Sequence, residues 1–409
     1  MVETTEPIGV YLHIPYCVKK CPYCDFNSYA LAKQAGTGRG AVETMPEADY
    51  VQALCSELAH YQQLPGWSGR EVASIFLGGG TPSLFSPQAI ATLLNAISRS
   101  FVLQSNAEIS IEANPGTIDE ALGLEKLRGF AAAGINRISF GAQSFSAVKL
   151  QRLGRIHQPD DVPRAVNYAR GAGIAQVNID LMFGVDGEAL AEWEEDLATA
   201  VSLKTDHLSV YGLTIEPGTE FDRWTRRGNT LTANEDLQAD MYLMTQQRLS
   251  AAGFEQYEIS NYARSGALCR HNLGYWQGRD YLGLGAGAHS FLRRSPADDK
   301  AQPWGQRWSN VPGPELYIAR SRAQGDSAQR RDIVGREQAR TEFFFLGLRL
   351  KEGISKARFE QLFEEPFDIR YKTALNELRR EGLIAETEQR VALTTKGFLF
   401  ADTVMASFE

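Results

Sequence analysis

The chain has 409 residues, of which 43% are hydrophobic and 22% are charged, and its formal net charge is -8. This composition is ordinary for a soluble protein of two or three domains, unless one large α/β barrel takes most of the length. The acidic balance argues against nucleic acid as the main partner. The sequence contains no run of the roughly 20 apolar residues that a membrane span needs, and residues 1–10 lack a leader pattern. We therefore expect a cytoplasmic monomer or dimer, with peripheral membrane contact left open.

Short apolar runs alternate with helical patterns along the first half of the chain. Strands are predicted at 9–13, 74–77, 108–112, 137–140, 176–182 and 208–211. Helices are predicted between them at 48–62, 87–99, 119–133, 160–171 and 188–203, with a further one at 234–253. Six β/α units predict a parallel sheet that is closed or partly closed into a barrel. In such barrels the chemistry lies at the C-terminal ends of the strands.

The last hundred residues differ in character. A turn-rich and proline-rich stretch at 293–314 predicts a linker between a first domain, 1–292, and a second, 315–409. Helix candidates at 338–350, 356–363 and 369–381 precede a hairpin at 383–393, which is the order of a winged helix. Acidic and basic residues nearly balance in this domain, which argues against DNA binding and for an internal docking or lid role.

Three of the five cysteines, Cys17, Cys21 and Cys24, form a C-x3-C-x2-C run directly after the first strand. Such clustering suits neither isolated buried cysteines nor a disulfide framework. A structural zinc site would need a fourth ligand, which Cys269 or His271 could supply. An iron–sulfur cube held by three cysteines would leave one iron open to a small molecule. The residues favour the cluster and keep zinc as an alternative.

Polar and glycine residues follow the strands of the predicted barrel. Gly79, Gly80 and Thr81 end the second strand, and Glu112 ends the third. Asp180 lies inside the fifth strand, where an unpaired buried carboxylate would cost several kcal/mol. Because parallel strands end at one rim, we expect these residues to line a shared polar cavity beside the cysteine loop.

The cysteine run, the segment Leu-Gly-Gly-Gly-Thr-Pro at 77–82 and Glu112, in this order, resemble the radical S-adenosylmethionine (SAM) superfamily. The resemblance implies a [4Fe-4S] cluster on the three cysteines, with SAM on the open iron, and an electron donor. It also implies a partial (β/α)6 TIM-like barrel with a C-terminal α+β winged-helix-like domain. The positions that match the SAM contacts are Tyr11, Tyr23, Gly79, Gly80, Thr81, Glu112, Gln143, Arg155, Asp180 and Gly212.

Residues 11–17 and 24–26 are similar to the branch that contains oxygen-independent coproporphyrinogen III oxidase and the HemW-type haem chaperones. Two features favour the chaperones. Phe26 stands where the oxidase has a fourth cysteine, and residues 271–276 read His-Asn-Leu-Gly-Tyr-Trp, the HNxxYW motif of the chaperones. This resemblance implies haem as a ligand and haem-acceptor proteins as partners.

The motif also has a physical interpretation as a haem site. Imidazole is a common axial ligand to haem iron, so His271 is a candidate ligand, and Tyr275 and Trp276 could flank the macrocycle. Cys269 and His289 are further candidates. The intact SAM positions keep a radical SAM enzyme acting on a porphyrinogen as the alternative function. A zinc-stabilised barrel of unknown activity is a third hypothesis.

Overall fold

A computed structural model describes residues 6–31, 45–293 and 304–408. Its strands are β1 (Ile8–Ile14), β2 (Tyr16–Cys17), β3 (Tyr29–Ala30), β4 (Glu71–Gly79), β5 (Val102–Ala113), β6 (Arg137–Gln143), β7 (Gln176–Phe183), β8 (His207–Gly212), β9 (Glu255–Gln256), β10 (Asn261–Ala263), β11 (Tyr281–Leu284), β12 (His289–Arg293), β13 (Gly305–Asn310), β14 (Ala328–Val334), β15 (Ile354–Ser355), β16 (Ile384–Glu386) and β17 (Arg390–Leu393). Its helices are α1 (Glu47–Tyr61), α2 (Pro87–Ser100), α3 (Gly123–Ala133), α4 (Ala147–Arg152), α5 (Asp161–Gly171), α6 (Leu190–Ser202), α7 (Glu220–Thr225), α8 (Glu235–Ala251), α9 (Arg270–Trp276), α10 (Pro314–Gln324), α11 (Arg336–Gly347), α12 (Lys356–Phe363), α13 (Phe367–Arg370), α14 (Lys372–Arg380), α15 (Thr395–Leu399) and α16 (Ala401–Ala406).

One sheet of twelve strands dominates the described chain, in the order β14-β13-β12-β11-β1-β4-β5-β6-β7-β8-β10-β9. The neighbours from β11 to β8 pair in parallel, and the strands outside them pair antiparallel. The six predicted parallel strands are all present, so the predicted partial barrel is confirmed. The strand β11, which joins the parallel set beside β1, was missing from the prediction because its four residues, with a glycine inside, give little pattern.

The parallel strands bury one apolar face and turn a polar face inward. In β5, Ile109 and Ile111 pack in the core, whereas the alternate residues Glu108, Ser110 and Glu112 lie on the other face. Successive side chains of a strand point to opposite faces, so this alternation separates a helix-covered apolar layer from a polar interior. The inward face of β5 is therefore polar from Glu108 to Glu112.

The antiparallel edge runs through the segment 293–314 that the sequence predicts as a linker. Residues 294–303 lie outside the described residues, but Gly305–Asn310 form β13 between β12 and β14. Trp308 is buried there and donates from Nε1 to Tyr61 Oη at 2.7 Å. The described part of this segment is thus sheet rather than linker, because its partners lie on either side of the turn-rich stretch. The domain boundaries themselves stay a prediction.

The C-terminal unit has its own core and the predicted order of helices followed by a hairpin. Phe344 stacks on Phe408 with 4.2 Å between ring centroids, and β15, β17 and β16 form a small antiparallel sheet. The single helix predicted at 369–381 is two helices, α13 and α14, which meet at Tyr371. A bridge between Glu258 and Leu350 joins this unit to the barrel. Within the described ranges, no helix combines the length and apolarity that crossing a bilayer requires.

Candidate functional site

The cysteine loop follows β1 at the C-terminal rim of the barrel, as the sequence predicts. Cys17, Cys21 and Cys24 are free thiols of intermediate exposure. Thr81 Oγ1 donates to Cys17 Sγ at 3.6 Å, Arg155 Nη1 donates to Cys21 Sγ at 3.5 Å, and Ser28 Oγ lies 3.9 Å from Cys24 Sγ. Burial raises the pKa of Cys17 and of Cys24, so both thiols keep their protons until a metal displaces them.

The three thiols share one loop but are not grouped as the ligands of a single metal ion. Among the residues that the structure describes, no group of three or more His, Cys, Asp and Glu side chains is arranged to hold a metal ion. Three thiols in eight residues nevertheless match the donor set of an iron–sulfur cluster. The loop backbone is fixed, because His13 Nε2 donates to Asn27 O at 2.8 Å and Asn27 Nδ2 donates to Ala286 O at 2.9 Å. Because a cube binds each cysteine at a different iron, the three thiols need not meet at one point to hold it.

The glycines at the end of β4 are required by backbone packing. Gly79 has φ +114°, and a Cβ there would lie 2.5 Å from the His13 ring. A Cβ at Gly80 would lie 2.6 Å from Tyr16 O. Thr81 N donates to Tyr16 O at 2.8 Å, which ties the same segment to the cysteine loop. The glycines thus hold the SAM-motif segment against the loop, whatever contact they make with a ligand.

Two carboxyl groups lie inside the barrel near this rim. Glu112 Oε2 accepts a hydrogen bond from Gly79 N at 3.0 Å, and burial together with the nearby Asp180 raises the pKa of Glu112 to about 8. Asp180 accepts from Ser139 Oγ at 3.0 Å and from Asn178 Nδ2 at 2.7 Å, and burial raises its pKa. Two neighbouring carboxyl groups that resist ionisation suit a positively charged ligand group, which would restore their charged form.

Arg155 offers the complementary charge. Its Nη2 donates to Gly141 O, while its Nε is buried without a partner among the described residues. A buried guanidinium donor without an acceptor suits a ligand carboxylate. Gln143, at the end of β6, has φ +66°, where the register of β6 against β7 is irregular.

The apolar side of the rim contains the remaining predicted SAM positions. Tyr23 packs 6.1 Å from the Phe221 ring, in a small cluster with buried Leu213. Gly212 ends β8, and a Cβ there would lie 3.3 Å from Phe183. Flat apolar surfaces of this kind suit an aromatic base. The predicted SAM positions therefore surround one rim, apart from Tyr11, which lies deeper inside the barrel.

The predicted haem residue His271 lies at the opposite end of the barrel interior. Its ring nitrogens contact Ser74 Oγ and Tyr275 Oη, each at 2.9 Å, and its ring stacks 5.1 Å from Phe76. Burial lowers the pKa of His271 to about 3. The imidazole is thus neutral, with both nitrogens hydrogen-bonded within the protein.

Glu108 fixes this end of the barrel. Its carboxylate accepts from Arg270 N at 2.9 Å and from His271 N at 3.0 Å, at the start of α9, and from Cys269 Sγ at 3.5 Å. Cys269 is buried, and burial raises its pKa to about 12. His289 is exposed at the start of β12 and does not join the His271 group. The structure therefore brings Tyr275 and His271 together but leaves Cys269 and His289 apart from a shared ligand position.

A string of rings connects the two ends of the interior. Centroid distances are 4.9 Å from Tyr275 to His271, 5.1 Å from His271 to Phe76, 6.2 Å from Phe76 to Tyr11 and 5.9 Å from Tyr11 to His13. Tyr11 Oη also lies 3.0 Å from His13 Nδ1. Because His13 Nε2 donates to a carbonyl, Nδ1 is the acceptor and Tyr11 is the donor. The string forms an aromatic column that runs from α9 to the rim.

Tyr275 and Trp276 line a cavity of about 580 Å³ between the barrel and the C-terminal unit. Sequence reasoning missed this cavity, because its walls come from β11, β12, α11 and α12, which are far apart in the chain. It also missed the polar residues of the inner face, such as Glu108, Ser139 and Asn178. Their signal was present in the sequence as strict alternation with apolar neighbours in the predicted strands.

Family models match the barrel and the C-terminal unit, and curated relatives match nearly the whole chain. The radical SAM superfamily model matches residues 11–200, and the HemN C-terminal domain model matches residues 334–400. Curated relatives are the heme chaperones HemW of Haemophilus influenzae and of Escherichia coli K12, each 38% identical over 98% of both chains. The heme chaperone HemW of Bacillus subtilis is 35% identical over 98% of both chains. A radical SAM domain implies SAM and a [4Fe-4S] cluster as cofactors.

A solved structure shares the whole fold. Coproporphyrinogen III oxidase (HemN) from Escherichia coli, a radical SAM enzyme, superposes with a TM-score of 0.79 at 24% sequence identity. The match covers 98% of this chain and 90% of the oxidase chain. This likeness confirms the predicted architecture of the barrel and of the C-terminal unit.

Proposed function

The chain belongs to the HemW family within the radical SAM superfamily, and on that premise we propose that it is a haem chaperone. It binds haem, holds a [4Fe-4S] cluster with SAM and passes haem to acceptor proteins. The observation that carries the proposal is the 38% identity to heme chaperones over 98% of the chain. That match includes both the barrel and the C-terminal unit, whereas the oxidase shares the fold at 24% identity.

The residues at the rim fit the proposed cofactors. Cys17, Cys21 and Cys24 would hold the cluster, which supplies one-electron chemistry at an open iron when bound. Thr81 and Arg155 donate hydrogen bonds to cysteine sulfurs, and such donors tune the potential of a cluster. Both hydrogen bonds are already present in the structure.

The same rim has acidic side chains that would bind the ammonium group of an amino acid and a basic side chain that would bind its carboxylate. Glu112, whose pKa is raised by burial and by the nearby Asp180, would stabilise a ligand ammonium or sulfonium, and Asp180 adds a second carboxyl beside it. The unpartnered Nε of Arg155 would donate to a ligand carboxylate. Tyr23 and Phe221 would cover an adenine ring and exclude water from it.

A radical SAM enzyme acting on a porphyrinogen is the second candidate function. The specific observation in its favour is the complete set of charged groups at the rim, which haem transport alone does not need. In this function an electron donor reduces the cluster, and Phe26, at 60% exposure just beyond the third cysteine, lies at the surface of that loop.

The two functions separate in one experiment on anaerobically reconstituted protein. One sample receives haem and then haem-free myoglobin as a test acceptor, and another receives coproporphyrinogen III with SAM and a reductant. We expect one haem per chain, transfer to the acceptor and no vinyl product. Turnover of coproporphyrinogen would establish the enzyme instead, and failure to take up haem would reject the chaperone.

A further inference from the structure

We propose that the cavity between β11–β13 and the C-terminal unit is the haem site, and that its arginines bind the two propionates. This inference rests on the proposed haem function and adds a location, a mode of recognition and a set of residues to it. The sequence motif alone points to His271, whereas the cavity is built largely by residues outside the motif.

The cavity has the size and the walls for a flat macrocycle. Its volume of about 580 Å³ lies within the roughly 300–1,000 Å³ of small-molecule sites. Tyr275, Tyr281 and Phe291 line it from the barrel, and Phe343 and Phe363 line it from the C-terminal unit. Aromatic walls on two sides favour a conjugated, flat ligand between them.

The aromatic groups hold fixed orientations. Tyr275 and Tyr281 meet edge to face at 4.7 Å, and Trp304 stacks on Phe363 at 4.7 Å with 22° between the planes. The Arg349 guanidinium lies 4.5 Å above Trp276, whose Nε1 is buried without a partner in the described part of the chain. The walls are therefore rigid, and one indole donor remains for a ligand.

The charged residues that line the cavity indicate which class of ligand it would bind. Five arginines line the cavity against three glutamates, an excess of two positive charges: Arg279, Arg293, Arg307, Arg358 and Arg390 against Glu6, Glu342 and Glu352. An excess of two matches the two carboxylates of haem. Guanidinium groups are well suited to bind carboxylates in two parallel hydrogen bonds.

The ion pairs show which arginine remains available. Arg307 makes two bonds of 2.9 Å to Glu342, and Arg293 and Arg358 share Glu6. Arg279 makes no ion pair with any described residue and interacts with Glu6 only at longer range than Arg293 and Arg358 do. Arg279 is therefore the arginine most available to a ligand carboxylate.

The position of His271 follows from this assignment. Its Nε2 lies 2.9 Å from Tyr275 Oη, so the histidine contacts the back of the cavity wall. Its other nitrogen is held by Ser74 inside the barrel. The motif thus presents Tyr275 and Trp276 to the cavity and keeps the imidazole behind them.

Two substitutions in the full-length, cluster-reconstituted protein test the site. Arg279→Gln removes the available guanidinium, and Leu346→Glu places a carboxylate in the apolar wall. Their matched controls are Arg330→Gln, on an exposed side chain of β14, and Phe345→Glu, on the outer face of α11 at 47% exposure. Thermal unfolding of all four variants checks that each one folds.

Binding is measured by quenching of tryptophan fluorescence with haem, metal-free protoporphyrin IX and protoporphyrin IX dimethyl ester. We expect both cavity variants to bind haem at least about tenfold more weakly, because a charge-assisted bond is lost or a charge is buried. Both controls should bind as the unchanged protein does. Protoporphyrin IX should bind and its ester should bind more weakly, because the ester has no carboxylates.

The outcomes separate the site from the function. Unchanged haem affinity in folded Arg279→Gln and Leu346→Glu would overturn the cavity as the haem site and leave haem binding intact. Equal affinity for the ester and the diacid would overturn the propionate assignment. Failure of the unchanged protein to bind any of the three probes would overturn the proposed function itself.

Discussion

Glu108 and Glu112 lie on the same face of β5, about 13 Å apart, yet they have opposite surroundings. Glu108 accepts hydrogen bonds from two backbone amides and a thiol. Glu112 accepts one, from Gly79, and lies near a second carboxyl group that raises its pKa. A buried polar group with all its partners supplied by the protein is structural, whereas one lacking partners is prepared for a ligand. The two ends of the barrel interior thus differ in how many hydrogen-bond donors the protein supplies to a buried carboxyl group.

Other residues follow the same division. At the α9 end, His207 has both ring nitrogens occupied, at 2.7 Å from Asn178 Oδ1 and 2.9 Å from Tyr257 Oη. At the rim, Arg155 keeps a buried Nε without a described partner. For the two carboxyl groups of β5, the number of hydrogen-bond donors that the protein supplies, and not polarity, distinguishes one end from the other.

The largest effect should come from the cysteine loop. In Cys21→Ala, one of the three proposed cluster ligands is lost, and we expect reconstituted protein to lose nearly all its cluster. Iron and sulfide content together with visible absorbance measure the loss. Cys55→Ala, on α1, is the matched control and should keep a full cluster. Iron content that survives in Cys21→Ala would contradict the cluster assignment.

The next largest effect is expected from the same substitution, glutamate to glutamine, made at two positions of β5. Glu108→Gln should lower the free energy of unfolding by about 2 kcal/mol, because buried amide donors lose a charged acceptor. Glu112→Gln should leave that free energy unchanged or higher, since it removes a carboxyl that resists ionisation. It should instead weaken SAM binding about tenfold or more.

Urea unfolding and SAM titration of both variants provide the measurement. Equal destabilisation by the two substitutions would remove the distinction between the two ends. Loss of SAM binding in a folded Glu108→Gln protein would indicate that SAM binds at the α9 end of the barrel, and would contradict the proposed site beside the cysteine loop.

A smaller effect concerns pH in the metal-free protein. The pKa of Glu112 rises from 4.5 to about 8 on folding. The folded state therefore binds more protons in this window, and stability should fall by up to a few kcal/mol as pH rises through it. His271 has the opposite sign, because its pKa falls from 6.5 to about 3 on folding. The stability that the neutral His271 contributes is lost as the pH falls below 6.5.

Unfolding free energies measured between about pH 4.5 and about pH 8 test this prediction. Glu112→Gln should remove part of the loss of stability on the alkaline side and leave the acid side unchanged, because buried Glu57, whose pKa burial raises to about 7, contributes to the same loss. A variant whose pH profile matches that of the unchanged protein would show that Glu112 ionises normally.

The smallest effect is expected from Thr81→Val, which removes the hydrogen bond to Cys17 Sγ but keeps the shape of the side chain. Cluster content should not change. The reduction potential should become more negative by roughly tens of millivolts, because sulfur hydrogen bonds stabilise the reduced cluster. Thr92→Val, whose hydroxyl bonds within α2, is the control for potentiometric titration.

Much of the barrel was predictable because its signals are local. Asp180 within an apolar strand correctly predicts a polar interior, and the strand ends predict the rim. The cavity was not predictable, because Trp304, Phe343 and Arg279 come together only through packing of distant elements. The sequence motif identifies His271, but its burial against Phe76 and Ser74 depends on tertiary contacts that no local pattern contains.

The aromatic column from Tyr275 to His13 has a thermodynamic consequence. One side of Tyr275 faces the cavity, and the far end of the string contacts the segment of Gly79 beside the cysteine loop. Ligands that shift a shared element are linked, and linkage is reciprocal. If SAM binds at the proposed rim site and haem in the proposed cavity, any factor that SAM imposes on haem affinity through this column haem must impose on SAM affinity in return.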